Sequence, residues 1–255
     1  MSEKTKRTNR EIRAEEEAIK ERVAQASKRS NRNAVMLIGA IAAAGLATAV
    51  WMTANTSKPT IEAQAQKAAA KTEIAEEELM KPGPLPENML GNTNAKVTIV
   101  EYASMTCPHC AAFHTSIYPE LKKKYVEPGT VRFVFREFPL DQRAGAASML
   151  ARCAGPDKYF QMIEVLFKRQ EQWAFVKGSP IEELKSIARQ LGMSEDAFNS
   201  CINDKKMLEA LEVVRNRGSE QYGVASTPTF FVNGKKLTGG QDLAAFDKLI
   251  EPLLK

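Results

Sequence analysis

Cys107-Pro108-His109-Cys110 sits where an apolar stretch gives way to a helical one, and no other feature constrains this 255-residue chain as strongly. Upstream, Val97-Thr98-Ile99-Val100-Glu101-Tyr102 reads as a buried strand; downstream, residues 111–125 read as a helix. Two cysteines at this spacing can close a disulfide with each other or exchange it with a partner. A helix starting here points the positive end of its dipole at the first sulfur, and His109 adds a potential positive charge beside it. Both favour thiolate over thiol. They therefore favour the reduced pair and make the disulfide an oxidant. A CxxC at a strand-to-helix junction is read as a redox site.

Bulk composition limits the surroundings of that site. At 44% hydrophobic and 26% charged residues the chain is an ordinary globular one. Its net charge of +5 is uneven, because residues 1–33 hold ten Lys or Arg against six Glu. The rest is close to neutral, with no basic stripe interleaved with aromatics, so a nucleic-acid partner is not expected. Residues 34–52 form a 19-residue apolar run, AVMLIGAIAAAGLATAVWM, about long enough to cross a bilayer. Lys20, Arg22, Lys28, Arg29 and Arg32 precede it and only Lys58 and Lys67 follow closely. The positive-inside rule then puts the N-terminus in the cytoplasm and the remainder outside. The reading taken is an uncleaved signal anchor over 34–54. The alternative is a cleaved signal peptide, for which Ala47-Thr48-Ala49 resembles a processing site. Residues 55–84 read as a spacer with helix-forming content over 61–80, broken by Lys81-Pro82-Gly83-Pro84; it serves as a stalk or a weak oligomerising helix.

The remaining chain, 85–255, orders as strand, helix, strand, helical block, hairpin, helix. Residues 130–138 alternate as a second strand. Candidate helices cover 141–154 and 157–169, another opens at Ser179-Pro180-Ile181-Glu182 with Ser as cap, one starts at Ser194, and one spans 205–221. Thr229-Phe230-Phe231-Val232 and residues 235–237 flank Asn233-Gly234, a hairpin turn, before a last helix over 242–254. The expected fold is α/β: a four-stranded sheet with flanking helices, interrupted by a helical insertion at about 141–222. Cys153 and Cys201 read either as a disulfide pair or as two separate buried thiols.

The ordered segments Leu90-Gly91-Asn92, Val97 onward, CPHC, Phe138-Pro139-Leu140, Ala151-Arg152-Cys153-Ala154, 167–173 and Thr227-Pro228-Thr229-Phe230-Phe231-Val232-Asn233-Gly234 together resemble the DsbA-like branch of the thioredoxin superfamily. The resemblance implies a thioredoxin fold with an inserted helical domain and an envelope protein that donates its disulfide to exported, unfolded protein thiols. It also implies re-oxidation by a quinone-linked membrane partner of the DsbB type. Cys107 is expected to attack and carry the mixed disulfide, Cys110 to resolve it, and His109 to tune the pair. Glu101 is expected to point inward and assist proton movement. The resemblance places Pro228 in a cis bond opposite the CxxC, with Thr227 before it helping to hold substrate, and pairs Cys153 with Cys201 in a structural disulfide. Thr227 stands where the best-known oxidase has Val and is also associated with reducing or isomerising members. A reductase or isomerase kept reduced by a thiol-donating membrane protein is therefore the alternative, and a non-redox chaperone or binding module is a third. His114 is expected to be an ordinary helix residue. With Cys107 and Cys110 it completes no zinc set, and neither metal nor cofactor is expected.

Overall fold

The computed structural model describes residues 72–255; the charged tail, the apolar run and the spacer up to residue 71 lie outside the described residues. Among the described residues no helix is long and apolar enough to cross a membrane.

A short helix α1 (Glu76–Leu79) leads to β1 (Asn88–Leu90) and β2 (Val97–Ala103). The active-site helix follows as α2 (Pro108–Ala112), a π turn (Phe113–Ile117), α3 (Tyr118–Leu121) and a second π turn (Lys122–Val126). After β3 (Val131–Glu137) come α4 (Gln142–Cys153), α5 (Tyr159–Lys168), α6 (Gln170–Trp173), α7 (Ile181–Gln190), α8 (Glu195–Ile202) and α9 (Lys205–Tyr222). The hairpin β4 (Thr229–Val232) and β5 (Lys235–Thr238) and the last helix α10 (Leu243–Leu254) complete the domain. The sheet has five strands in the order β1-β3-β2-β4-β5. Among the described residues only β2 and β3 are parallel, and the active-site helix is the crossover that this pairing needs. The four expected strands are thus joined by β1, antiparallel to β3. Three residues, Asn-Met-Leu, are too few for an alternation to register in the sequence.

Both faces of the sheet are covered, so every residue of β2 is buried. On one face Phe113, Tyr118, Phe133, Phe135, Phe230 and Phe246 join the main core. On the other, Val100, Tyr102, Val134 and Phe231 pack with Tyr222 and with Ile74 and Leu79. Residues 73–80, assigned by sequence to the spacer, thus belong to the folded unit. Two buried Ala- and Glu-flanked aliphatics carry too little pattern to reveal this.

Two of the three charged positions of β3, Arg136 and Glu137, are buried as well. Arg136 donates to Tyr102 Oη at 2.8 Å, to Leu79 O at 2.7 Å and to Glu87. Glu137 accepts from Arg152 at 2.7 Å and from Tyr159 Oη at 2.7 Å. Buried charges survive only with partners of this kind. The α7 start shifts by one residue, with Pro180 as its cap and Ser179 Oγ accepting from Ile181 N at 3.3 Å.

Gly218 on α9 faces the sheet without a side chain for a steric reason. A Cβ there would lie 2.8 Å from Tyr102 Cε1, a ring that is itself fixed by Arg136. Gly218→Ala is expected to destabilise the domain by about 1–2 kcal/mol, overpacking outweighing the better helix propensity. A lower urea midpoint with unchanged slope would register it.

Candidate active site: a dithiol at a strand-to-helix junction

Cys107 is the N-cap of the active-site helix, in extended backbone (φ −79°, ψ 120°), with Pro108 as the first helical residue. Proline costs nothing there because that N–H has no intrahelical partner anyway. Cys107 and Cys110 are both free thiols. Cys107 is 7% exposed and Cys110 fully buried.

The loop carrying Cys107 is pinned from three sides. Gln170 on α6 donates its amide to Met105 O at 2.8 Å and to Cys107 O at 3.0 Å. Thr106 donates its hydroxyl to Asp141 Oδ2 at 2.7 Å, while Asp141 Oδ1 caps α4 through Ala144 N. Ser104 O accepts from Cys107 N at 3.1 Å. Opposite stands Thr227-Pro228, a cis peptide, whose Thr227 carbonyl accepts from Cys107 Sγ at 3.2 Å. The Thr227 hydroxyl, buried and without a partner while Cys107 is a thiol, is placed to donate to the thiolate once it forms.

These contacts split the two thiols apart. Hydrogen bonding from the Cys110 thiol lowers the Cys107 pKa from 9.0 to about 5, helped by the Thr227 hydroxyl and the backbone N–H groups of Cys110 and His109, against the opposing effect of burial. Cys110 moves the other way: burial first, then its hydrogen bond to Cys107 and the nearby Glu101 charge push it well above the thiol range. The pair therefore holds one proton and one negative charge, with the charge on the accessible sulfur. His109 acts on Cys107 through its backbone N–H, and its ring is exposed.

Glu101 points inward from β2, fully buried, as its place in the strand required. Its partner corrects the reading of His114 as an ordinary helix residue. His114 Nε2 lies 2.8 Å from Glu101 Oε2, with the ring stacked on Phe167 at 4.4 Å between centroids. The π turn explains the inward placement. Pro119 has no N–H to return to Thr115 O, so the helix widens and Tyr118 N reaches Phe113 O instead. The signal in the sequence was Pro119, five residues past His114. Gln170 and Asp141 were also missed as supports of the cysteine loop, because a polar residue's long-range partner leaves no local trace.

Cys153 and Cys201 form a disulfide, joining the end of α4 to α8 across 48 residues. The cysteines at 107, 110, 153 and 201 thus divide into a dithiol and a crosslink.

Comparison with known proteins agrees with this geometry. The family model described as Thioredoxin matches residues 85–252. A Rickettsia bellii protein named "Putative protein-disulfide oxidoreductase" is 36% identical over 167 residues, covering 64% of this chain and 64% of that protein. A Rickettsia typhi protein of the same description is 37% identical, covering 57% of this chain and 54% of the relative. The chain thus spans less than two thirds of the length of these relatives. Among solved structures, Wolbachia pipientis alpha-DsbA1 superposes with a TM-score of 0.66 at 33% identity, covering 71% of this chain and 96% of that one. Bacillus subtilis BdbD shares the fold, with a TM-score of 0.57 at 24% identity over 66% of this chain and 92% of that one. With its CxxC on the first turn of a helix, a cis-proline facing it and a helical block inserted in the sheet, the chain belongs to the thioredoxin family, in its DsbA-like branch.

Proposed function

We propose that this protein is an envelope thiol–disulfide oxidase that donates the Cys107–Cys110 disulfide to exported proteins. The observation that carries the reading is the place of Cys107, the accessible sulfur at a helix N-cap beside the Cys110 thiol and the backbone N–H groups of Cys110 and His109, which lower its pKa from 9.0 to about 5. A thiol of pKa 9 is almost wholly protonated at pH 7, whereas Cys107 is almost wholly thiolate. The reduced form gains up to about 2.7 kcal/mol from that ionisation at pH 7, or about 60 mV of oxidising power, less what solvent screening removes.

The chemistry follows in two exchanges. A substrate thiolate attacks Cys107 Sγ, the accessible sulfur, and Cys110 leaves with the bonding electrons. A second substrate thiolate then attacks the substrate sulfur of the mixed disulfide, and Cys107 departs as a stabilised thiolate. A leaving thiol of low pKa speeds this step and pulls it towards release. Substrate backbone lies along Thr227 beside cis Pro228, where the attacked sulfur faces the carbonyl at 3.2 Å. Exposed Leu140, whose N–H reaches Ser104 Oγ on the cysteine loop at 3.4 Å, offers apolar contact to an unfolded client.

The apolar run at 34–52 supports a single-pass anchor in the cytoplasmic membrane, N-terminus inside and catalytic domain outside. A membrane partner of the DsbB type would then re-oxidise the dithiol. The reduction potential of Cys107–Cys110 tests the direction of transfer, measured on the full chain in detergent against glutathione, with Cys153–Cys201 followed separately by mass. A value near −120 mV is expected for an oxidant of this kind; one near −270 mV, as in thioredoxin, would make the protein a reductant and turn attention to Thr227.

A further inference from the structure

The buried pair Glu101–His114 has an influence at each end: the Glu101 charge acts on Cys110, and His114 lines a surface cavity. Each redox cycle places a demand on Cys110 that the exchange chemistry above does not meet. When the Cys107–Cys110 bond breaks, Cys110 takes the electron pair as a thiolate in a site without solvent contact, and it must gain one proton. When the pair is re-oxidised, Cys110 must lose that proton before it attacks Cys107 Sγ. Cys110 itself is fully buried, so water does not reach it.

We infer that His114 links Glu101 to solvent and that the two side chains form a proton relay between Cys110 and a surface cavity remote from the substrate-facing sulfur. Four observations support the path. Glu101 is close enough to Cys110 for its charge to act on that thiol. Glu101 Oε2 and His114 Nε2 are 2.8 Å apart. The far ends of the pair, Glu101 Oε1 and His114 Nδ1, are both buried with no protein partner, as is the neighbouring Tyr118 hydroxyl. Buried polar atoms without partners on both sides of one hydrogen bond are where single waters sit. Finally, His114 and Tyr118 line a surface cavity of about 420 Å³.

The inference rests on the redox reading of Cys107 and Cys110 and adds a second exit to it. On reduction, His114 Nε2–H passes its proton to the Glu101 carboxylate, which hands it on to the Cys110 thiolate, and Nδ1 takes one from water in the cavity. On oxidation the same moves run backwards, restoring the first tautomer, so atoms and charge balance over a cycle. His114 acts through Glu101 and is a positioning residue. The ionisable groups facing it are Glu101 from β2, Tyr118, Lys122 and Glu127 from its own helix, and Glu164 and Lys168 from α5.

Reduced full-length protein mixed with dithiobis(nitrobenzoate) separates the two sulfurs. A first nitrothiobenzoate is released when Cys107 attacks, and a second when Cys110 attacks the Cys107 adduct. In His114→Gln, which keeps a hydrogen bond to Glu101 but cannot pass a proton, the second phase is expected to slow about tenfold at pH 7 and to recover as pH rises. In His114→Ala, imidazole entering the cavity restores that phase and cyclopentanol does not. Wild type shows a slower second phase in D2O, a readout that needs no variant to fold. Equal second phases in wild type and His114→Gln from pH 5 to 9, or no D2O effect in wild type, would overturn the relay. A wild type that releases only one nitrothiobenzoate would instead overturn the redox reading beneath it.

Discussion

Cys107→Ser slows disulfide exchange at least about a hundredfold, and Cys110→Ser converts the protein into a trap. In the first variant the remaining sulfur is fully buried and its pKa is held above the thiol range, so ionisation alone lowers the rate with a small disulfide by at least about a hundredfold at pH 7. In the second, Cys107 still attacks but the adduct stays, visible as a stable mass increase. Thiolate absorbance at 240 nm in the reduced wild type should titrate with a midpoint near 5, and Cys107→Ser should lose that titration. The same ionisation sets a stability profile. The folded pKa lies below the unfolded value of 9.0, so the stabilisation is complete above pH 9 and is lost as pH falls towards 5. The oxidised protein has no such titration. Guanidinium unfolding of the reduced form, taken relative to the oxidised form, should therefore gain up to about 1.4 kcal/mol per pH unit across that window. A flat difference would mean that Cys107 is not the ionised sulfur.

The second large effect lies away from the catalytic dithiol. Replacing Cys153 and Cys201 together with Ala removes a crosslink that closes a 48-residue loop. The unfolded chain regains about 4 kcal/mol of conformational freedom in the chain-entropy account, and for a domain of this size the melting temperature should fall by roughly 8–16 °C. None of the contacts that lower the Cys107 pKa comes from α4 or α8, so the 240 nm titration should keep its midpoint in that variant. Calorimetry and the titration on the same sample separate a structural crosslink from a second redox couple.

What could be read from the sequence was whatever depends on near neighbours along the chain. Val97 to Tyr102 announced β2 because a strand covered on both faces must be apolar throughout. Asn233-Gly234 announced the hairpin because its turn needs positive φ, 42° and 87° here. Asp141, Ser194 and Asp242 each cap the helix they precede. The two thiols were legible from spacing, and the lowered Cys107 pKa from the helix start, whereas the raised Cys110 pKa comes from burial that no local pattern states. What stayed hidden depends on partners far away in sequence: Gln170 beneath the cysteine loop, His114 against Glu101, and Ile74 beneath the sheet. A lone polar or apolar residue does not state which distant atom it will meet. His114 also needed a widened helix turn to face inward, and regular helical periodicity cannot anticipate that.

The arm at 72–74 has a bearing on work among unfolded chains. It runs along the outer edge of β5, with Ile74 N bonded to Gly234 O at 2.9 Å and Lys236 N to Thr72 O at 2.9 Å. Its passage requires Gly234, since any Cβ there would fall 1.9 Å from Ile74 O. A sheet that ends in bare backbone invites extended polypeptides to add themselves as further strands. Under the proposed function this protein meets extended polypeptides, and with them that hazard, at every encounter. By laying its own backbone along β5, the chain blocks that edge to indiscriminate strand addition and leaves capture to the sulfur and the cis-proline loop.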